Sequence, residues 1–369
     1  MPSITDGKRV RKMNRLEKLQ SRIKEAADCG IITDEVNRRY FTGMKSSAGT
    51  VLVFPEESYL IIDFRYIEKA RNTVKDCTVL LEESGAGKYA QLNELIEKHG
   101  AKTIAIDSQT CTVSDLAAYR KQLKAEIPAD GKFGVIIRQL RMVKTSDETD
   151  KMIAAQRIAE AGLEHMLDFI KVGRTEKEIQ LELDYYMLSH GAEALSFDTI
   201  ALSGPNTSLP HGVPSERKVQ SGEFVLMDFG AVVDGYHSDM TRTVCVGEPT
   251  EKMRKVYDIV LRAQQAGLDA VKAGISGKDL DAAARDLIAA EGYGDAFGHS
   301  LGHGVGMEIH EQPYASPSSK FVLPENSIIT VEPGIYLEGE FGVRIEDFVI
   351  VKAGGCENMT LAEKELICI

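Results

Sequence analysis

Three of the eight histidines in the chain fall at positions 299, 303 and 310, around the run Gly298-His299-Ser300-Leu301-Gly302-His303-Gly304-Val305-Gly306. The glycines argue against a helix, despite the four-residue spacing of His299 and His303. They suit an extended segment where backbone approaches closely. A lone histidine is ordinarily structural; three in such a segment favour a site. Four carboxylates stand in apolar, strand-forming surroundings. Asp228 follows Val225-Leu226-Met227, and Asp239 sits in His237-Ser238-Asp239-Met240-Thr241. Glu332 follows Ile329-Thr330-Val331, and Glu346 ends Gly342-Val343-Arg344-Ile345-Glu346. An unpaired charge in such a place is costly, so each needs a partner.

The first two carboxylates share a predicted hairpin. Asp234-Gly235 is a preferred two-residue loop between β-forming runs, and it pairs Val233 with Tyr236. The same register sets Gly230 against Asp239 and Asp228 against Thr241. Asp228 and Asp239 are then diagonal neighbours on one face, within reach of one ion. The bland alternative has one aspartate capping the turn and the other meeting Arg242. Arg344 and Glu346, two apart on a predicted strand, share a face, and a simple salt bridge is the bland reading of that pair.

Four carboxylates and His303 in one apolar pocket would have to protonate or separate unless cations were present. Two divalent ions balance the four charges. Oxygen-rich ligation with one imidazole suits Mn, Co or Fe(II), with Zn compatible. Two such ions about 3.5–4 Å apart can bridge a water, lower its pKa and polarise a carbonyl. That chemistry is metal-assisted hydrolysis.

The elements that must position these groups lie in the second half of the chain. At a fixed offset of 101 residues, Ile158, Leu167, Ile170, Lys171, Gly173, Ile179, Met187 and Gly191 match Ile259, Leu268, Val271, Lys272, Gly274, Leu280, Ile288 and Gly292. Thr175-Glu176-Lys177-Glu178 reads as a capping box, and Ser276-Gly277-Lys278-Asp279 as a weaker version of it. Each copy is a helix, a glycine turn and a capped second helix, followed by β-rich sequence. Such a duplicated domain places a site between its halves. Thr145-Ser146-Asp147-Glu148 reads as the capped start of the first helix, which puts a domain boundary near 140.

Residues 1–140 alternate apolar runs with helical stretches and read as an α/β domain. Strands are predicted at Val51–Phe54, Tyr59–Asp63, Thr78–Leu81, Thr103–Asp107 and Val135–Arg138. Helices are predicted at Ile67–Thr73, Tyr89–His99 and Val113–Ala125. The basic stretch from Lys8 to Lys24 has helical spacing at Met13, Leu16, Leu19 and Ile23, with its charges on a solvated face.

Composition narrows the function classes. With 44 Lys+Arg against 56 Asp+Glu, the formal charge is −12, which argues against a general nucleic-acid binder. No apolar run approaches the roughly 18–20 residues of a membrane span. Met1 to Gly30 lacks the apolar core of a secretory signal. The six cysteines form no CxxC pair and read as reduced thiols in a cytosolic protein. Gly302-x-Gly304-x-Gly306 has the wrong spacing for a dinucleotide fingerprint. Gly85-Ala86-Gly87-Lys88 is no P-loop, and His310-Glu311 no zincin helix.

The ordered Asp228, Asp239, His303, Glu332, Glu346 set resembles that of the pita-bread metallopeptidases, the family of methionine aminopeptidase, aminopeptidase P and prolidase. Asn37-Arg38-Arg39-Tyr40-Phe41-Thr42-Gly43 and Asp63-Phe64-Arg65-Tyr66 are similar to the amino-terminal domain of the proline-specific branch, which methionine aminopeptidases lack. The resemblance implies a creatinase-like α/β domain over 1–140 and an α+β pita-bread catalytic domain, with a pseudo-twofold repeat, over 141–369. It implies an exopeptidase that cleaves between an N-terminal residue and proline through a hydroxide bridging two metals, manganese first among them. Both an Xaa-Pro aminopeptidase and an Xaa-Pro dipeptidase fit.

Roles follow by the same resemblance. The five residues hold the metals, and Glu332 is also the general base. His211, in Leu209-Pro210-His211-Gly212, handles substrate and protons; His310 contacts the region of the scissile carbonyl. His299 matches another substrate-binding histidine, and Arg344 the arginine of the proline-specific members. A cytoplasmic homodimer acting on peptides with proline second, without nucleic acid or membrane, is expected. Two other readings stay within the fold. Creatinase-like amidine hydrolysis needs no metal, and a catalytically inactive binding module would serve as a platform; the branches concerned do not keep all five residues.

Overall fold

The computed structural model describes residues 13–85 and 87–369. It comprises two compact units, one ending at Leu140 and the other running from Arg141 to Ile369.

The first unit is built on a five-stranded mixed sheet. In spatial order its strands are Thr78–Leu81, Ser58–Ile62, Thr50–Val53, Cys29–Ile32 and Ile104–Ile106. Helix Arg15–Arg22 opens on an Asn14–Glu17 capping box and buries Leu16 and Leu19, with Ile23 just beyond. Met13 stays exposed, and residues 8–12 of the basic stretch lie outside the described residues.

Two expectations fail in this unit. Cys29–Ile32, next to the edge of the sheet and fully buried, was not predicted. Val135–Arg138, predicted as a strand, lies inside helix Lys132–Met142. The apolar run is short enough to read either way. The helix wins because Phe133, Ile136 and Ile137 fall at three- and four-residue spacing and are all buried.

In the second unit the duplication is explicit. Helices Ser146–Phe169 and Glu176–Ser189 are answered by Glu251–Ala270 and Gly277–Ala290. The turn glycines Gly173 and Gly274 have φ of 94° and 87°, a region that an L side chain seldom adopts. Thr175 and Glu178 close a full capping box; Ser276 caps Asp279 but receives no reciprocal backbone bond, as the shorter acid dictates. Each helix pair has its own core. The first packs Leu163, Met166, Ile179 and Leu183 against Val225, Met227 and Val244. The second packs Ile259, Val260, Leu280 and Ile288 against Ile329, Val331, Val343 and Val349. The corresponding sheets are Ile200–Ser203, Glu223–Phe229 and Met240–Val246, and Ile328–Val331, Asp347–Lys352 and Gly355–Asn358.

The two halves are bonded to each other beside the site. The Thr243 hydroxyl donates to the Arg344 carbonyl at 3.0 Å, and the Glu346 amide donates to the Thr241 carbonyl at 3.1 Å. No helix among the described residues is long and apolar enough to cross a membrane.

Candidate metal centre

The hairpin forms in the predicted register. Asp234 and Gly235 both have positive φ, 48° and 82°, as a two-residue primed turn demands. Val233 pairs with Tyr236, and beyond the turn Asp228 pairs with Thr241. Regular pairing lapses at Gly230 and at Ser238-Asp239. A Cβ on Gly230 would lie 2.0 Å from the Ser238 carbonyl oxygen, so only glycine lets the strands close here. Asp239 thus precedes strand Met240–Val246 instead of lying within it.

The glutamates also sit at breaks in pairing, where the expectation placed them inside strands. Glu332 follows strand Ile328–Val331, and Glu346 lies between Phe341–Arg344 and Asp347–Lys352. A strand end frees the side chain from the face-to-face alternation and lets it turn toward a common point. His303 lies in strand Gly302–Gly304, whose pairing with Glu311–Ala315 is bulged between His303 and Gly304.

All nine candidate residues line one cavity of about 460 Å³. Ligand atoms of Asp239, His303 and Glu346 lie within 4.8 Å of one another. His303 Nε2 is 3.5 Å from Asp239 Oδ2 and 3.3 Å from Glu332 Oε1. Its Nδ1 lies 3.1 Å from the Gly304 carbonyl, which can only accept, so Nδ1 carries the proton. Burial pushes the imidazole down to about 3, so Nε2 offers a lone pair to carboxylates. That arrangement is repulsive until a cation stands between them.

Three of the four carboxylates are anchored by one oxygen. Thr241 donates to Glu346 Oε2 at 2.7 Å, and Thr330 to Glu332 Oε1 at 3.1 Å. Arg344 Nη2 donates to Asp228 Oδ2 at 2.6 Å. The opposite oxygens, Glu346 Oε1 and Asp228 Oδ1, are buried and have no hydrogen-bond partner among the described residues. Buried acceptors left open in this way fit metal ligation. Burial, and then the charge of Asp228, raises the Asp239 carboxyl well above its ordinary value. Burial and Asp239 do the same to Glu346; burial chiefly raises Glu332, to about 8. Divalent cations are the counter-charges this donor set calls for.

That charge balance has a measurable consequence. A glutamate titrates near 4.3 in an unfolded chain, against about 8 for Glu332 in the metal-free fold. The penalty for burying these acids is absent below the first value and accumulates with pH toward the second. A bound cation favours the ionised form and removes it. The Tm gap between metal-loaded and chelator-treated protein should therefore widen between pH 5 and pH 8. Thermal scans of both forms across that range check this; a gap constant with pH would contradict it.

Arg344 is buried and spends three of its five donors on the protein: Nη2 on Asp228, Nε on Thr241 at 3.0 Å and Nη1 on Tyr336 at 2.9 Å. Neither bland pairing forms. Arg344 bridges Asp228 rather than Glu346, and Arg242 bonds Asp347 at 2.7 Å, leaving both aspartates of the hairpin to the cavity. His299 Nδ1 donates to the Ser300 carbonyl, so its Nε2 accepts from the Tyr336 hydroxyl at 2.8 Å. Burial pushes His299 down to about 4, in keeping with a neutral ring. His310 is exposed, with its ring centroid 4.3 Å from that of His303; His211 is exposed at the cavity wall.

The supports Thr241, Thr330 and Tyr336 were not singled out from the sequence. A threonine or tyrosine in a strand carries no mark of the hydroxyl bond it makes. Phe197, Ile200, Ile309 and Tyr314, which also line the cavity, were missed because an apolar or aromatic side chain reads as core until the fold shows what it faces.

Comparisons with known proteins give the family. Residues 150–353 match the model of metallopeptidase family M24, and residues 15–143 that of the creatinase/prolidase N-terminal domain. The Xaa-Pro dipeptidase of Pyrococcus furiosus is 37% identical over 96% of this chain and 99% of its own. The solved structure of an Xaa-Pro dipeptidase from Bacillus anthracis superposes with a TM-score of 0.92 at 40% identity, covering 96% of this chain and 99% of that one. An X-Pro aminopeptidase from Thermotoga maritima gives 0.86 at 37%, covering 93% and 98%. The chain belongs to metallopeptidase family M24 and is a hydrolase of peptides with a creatinase/prolidase N-terminal domain.

Proposed function

We propose that this protein hydrolyses the bond between an N-terminal residue and proline, with Xaa-Pro dipeptides as its first substrate class. The observation that carries the reading is the single cavity in which five ligand-type residues meet a buried arginine. Asp228, Asp239, His303, Glu332 and Glu346 would hold two divalent ions, with manganese the first choice for an oxygen-rich set. When bound, such ions supply Lewis acidity to the scissile carbonyl and acidify a water.

The chain's own groups do the rest. Glu332, held by Thr330 through one oxygen, takes the proton of the attacking water on its other oxygen. His211 and His310, at the cavity wall, orient the peptide carbonyl and pass a proton toward the proline nitrogen. Arg344 keeps two donors for carbonyl or carboxylate oxygens of the proline residue, which offers no N–H of its own. His299 acts through Tyr336 on Arg344 and is a positioning residue. Residues 1–140 form the creatinase-like unit and 141–369 the catalytic one, in a cytoplasmic homodimer.

His211→Ala should keep its metal while losing about a hundredfold in rate, as expected for a proton or substrate contact outside the ligand set. Metal analysis and kinetics on one preparation check this; loss of metal would make His211 a ligand instead. The substrate class is tested by rates on Ala-Pro, Ala-Pro-Ala and Ala-Ala. Ala-Pro should be cut fastest and Ala-Ala slowest. Equal cleavage of Ala-Pro and Ala-Ala would overturn proline selectivity.

A further inference from the structure

None of the six cysteines, all of them free thiols, belongs to the site described above. Two of them, far apart in sequence, nevertheless meet. Cys245 lies in strand Met240–Val246, and the 361–369 segment runs beside that strand. The Cys245 amide donates to the Ile367 carbonyl at 2.9 Å, and the Ile369 amide donates to the Cys245 carbonyl at 2.9 Å. This is the bond pattern of a parallel pair with Cys245 opposite Cys368. Opposed residues of neighbouring strands project to the same face, with backbones about 5 Å apart. A disulfide needs Cα atoms roughly 4.4–6.8 Å apart, so the pairing suits one. The two thiols act on each other directly: burial first, then the Cys368 thiol, pushes Cys245 up to about 12.

We propose that Cys245 and Cys368 form a reversible dithiol–disulfide pair that staples the 361–369 segment to strand Met240–Val246. Exposure sets the order of events, because Cys368 is exposed and Cys245 is fully buried. The Cys368 thiolate attacks a small-molecule disulfide such as glutathione disulfide, forming a mixed disulfide and releasing one thiolate. Cys245 then gives up its proton to that thiolate and attacks the Cys368 sulfur, expelling the second thiolate, which takes up the proton that Cys368 released on ionising. Two protein thiols are oxidised and one external disulfide is reduced to two thiols.

The staple would reach the metal centre through the backbone. Within the segment, the Ala362 and Glu363 carbonyls accept from Arg242 at 2.9 and 2.8 Å. The same guanidinium donates to the Glu346 carbonyl and to Asp347. Fixing the segment therefore fixes the group that braces the backbone of Glu346.

The test uses metal-loaded protein equilibrated in glutathione buffers from reducing to oxidising, acid-quenched and peptide-mapped by mass spectrometry. The expected product joins the Cys245 and Cys368 peptides, is reversed by dithiothreitol, and raises Tm by about 5–10 °C. Cys368→Ser should abolish both the link and the rise while keeping the Tm of the reduced protein. Cys368 held as a stable glutathione adduct, linked to another cysteine, or unmodified in the most oxidising buffer would overturn the proposal. A link without a rise in Tm would show that it staples nothing. Mapping the unaltered chain decides the matter even if the variant misfolds.

Discussion

Asp239→Ala is expected to abolish turnover and to lower bound metal by at least one ion per chain. Asp239 is the one carboxylate of the hairpin that is fully buried, and its ligand atom lies within 4.8 Å of those of His303 and Glu346. Truncation removes an oxygen donor and one of four negative charges, so the remaining set no longer balances two divalent ions. Its side chain lies 3.5 Å from His303 Nε2, a nitrogen that cannot donate to it while Nδ1 carries the proton. The variant should fold, and its metal-free form should resist high pH better than metal-free wild type, because one acid with a raised pKa is gone. Metal content and kinetics measured together check this. Full metal with a near-normal rate would contradict the assignment of Asp239 as a ligand.

Arg344→Ala is expected to lower kcat/KM on Xaa-Pro substrates by roughly tenfold to several hundredfold, with Arg344→Lys recovering only part of it. One charged contact to a substrate oxygen is worth about 1.5–3 kcal/mol. The alanine variant also leaves Asp228, Thr241 and Tyr336 without their donor, and breaking a buried ion pair costs about 3–5 kcal/mol. Lysine restores the charge but has no fork, so it cannot serve Asp228, Tyr336 and a substrate together. The His299–Tyr336–Arg344 chain makes a further distinction available. His299→Ala should weaken KM more than kcat, since it loosens the arginine without removing it. Kinetics equal to wild type in Arg344→Ala would reduce the residue to a brace for Asp228.

Much of this site could be read from the chain because local rules set it. Asp234-Gly235 can turn in few ways, and that turn alone carries the register that places Asp228 against Thr241. The 101-residue repeat was visible in matched glycines and caps, whose backbone demands leave a mark on sequence. Contacts between distant segments leave no such mark. That Arg344 pairs with Asp228 and Arg242 with Asp347 depends on how the two halves meet, and local spacing could offer only the bland partners Glu346 and a hairpin aspartate. Cys29–Ile32 escaped notice because Gly30 interrupts the run and leaves only Ile31 and Ile32 as β-formers. Val135–Arg138 misled because its β-branched residues hid a helical spacing that only Phe133 completes.

The central claim is that this cavity is a metal-dependent site for cleaving before proline. One measurement tests it most directly: metal per chain and rate on Ala-Pro, followed on the same protein as it is stripped by chelator and titrated with Mn. The account predicts no turnover in the stripped protein and recovery that saturates at two ions per chain. Turnover of Ala-Pro unaffected by complete removal of metal, or metal-loaded protein that leaves Ala-Pro intact, would contradict it.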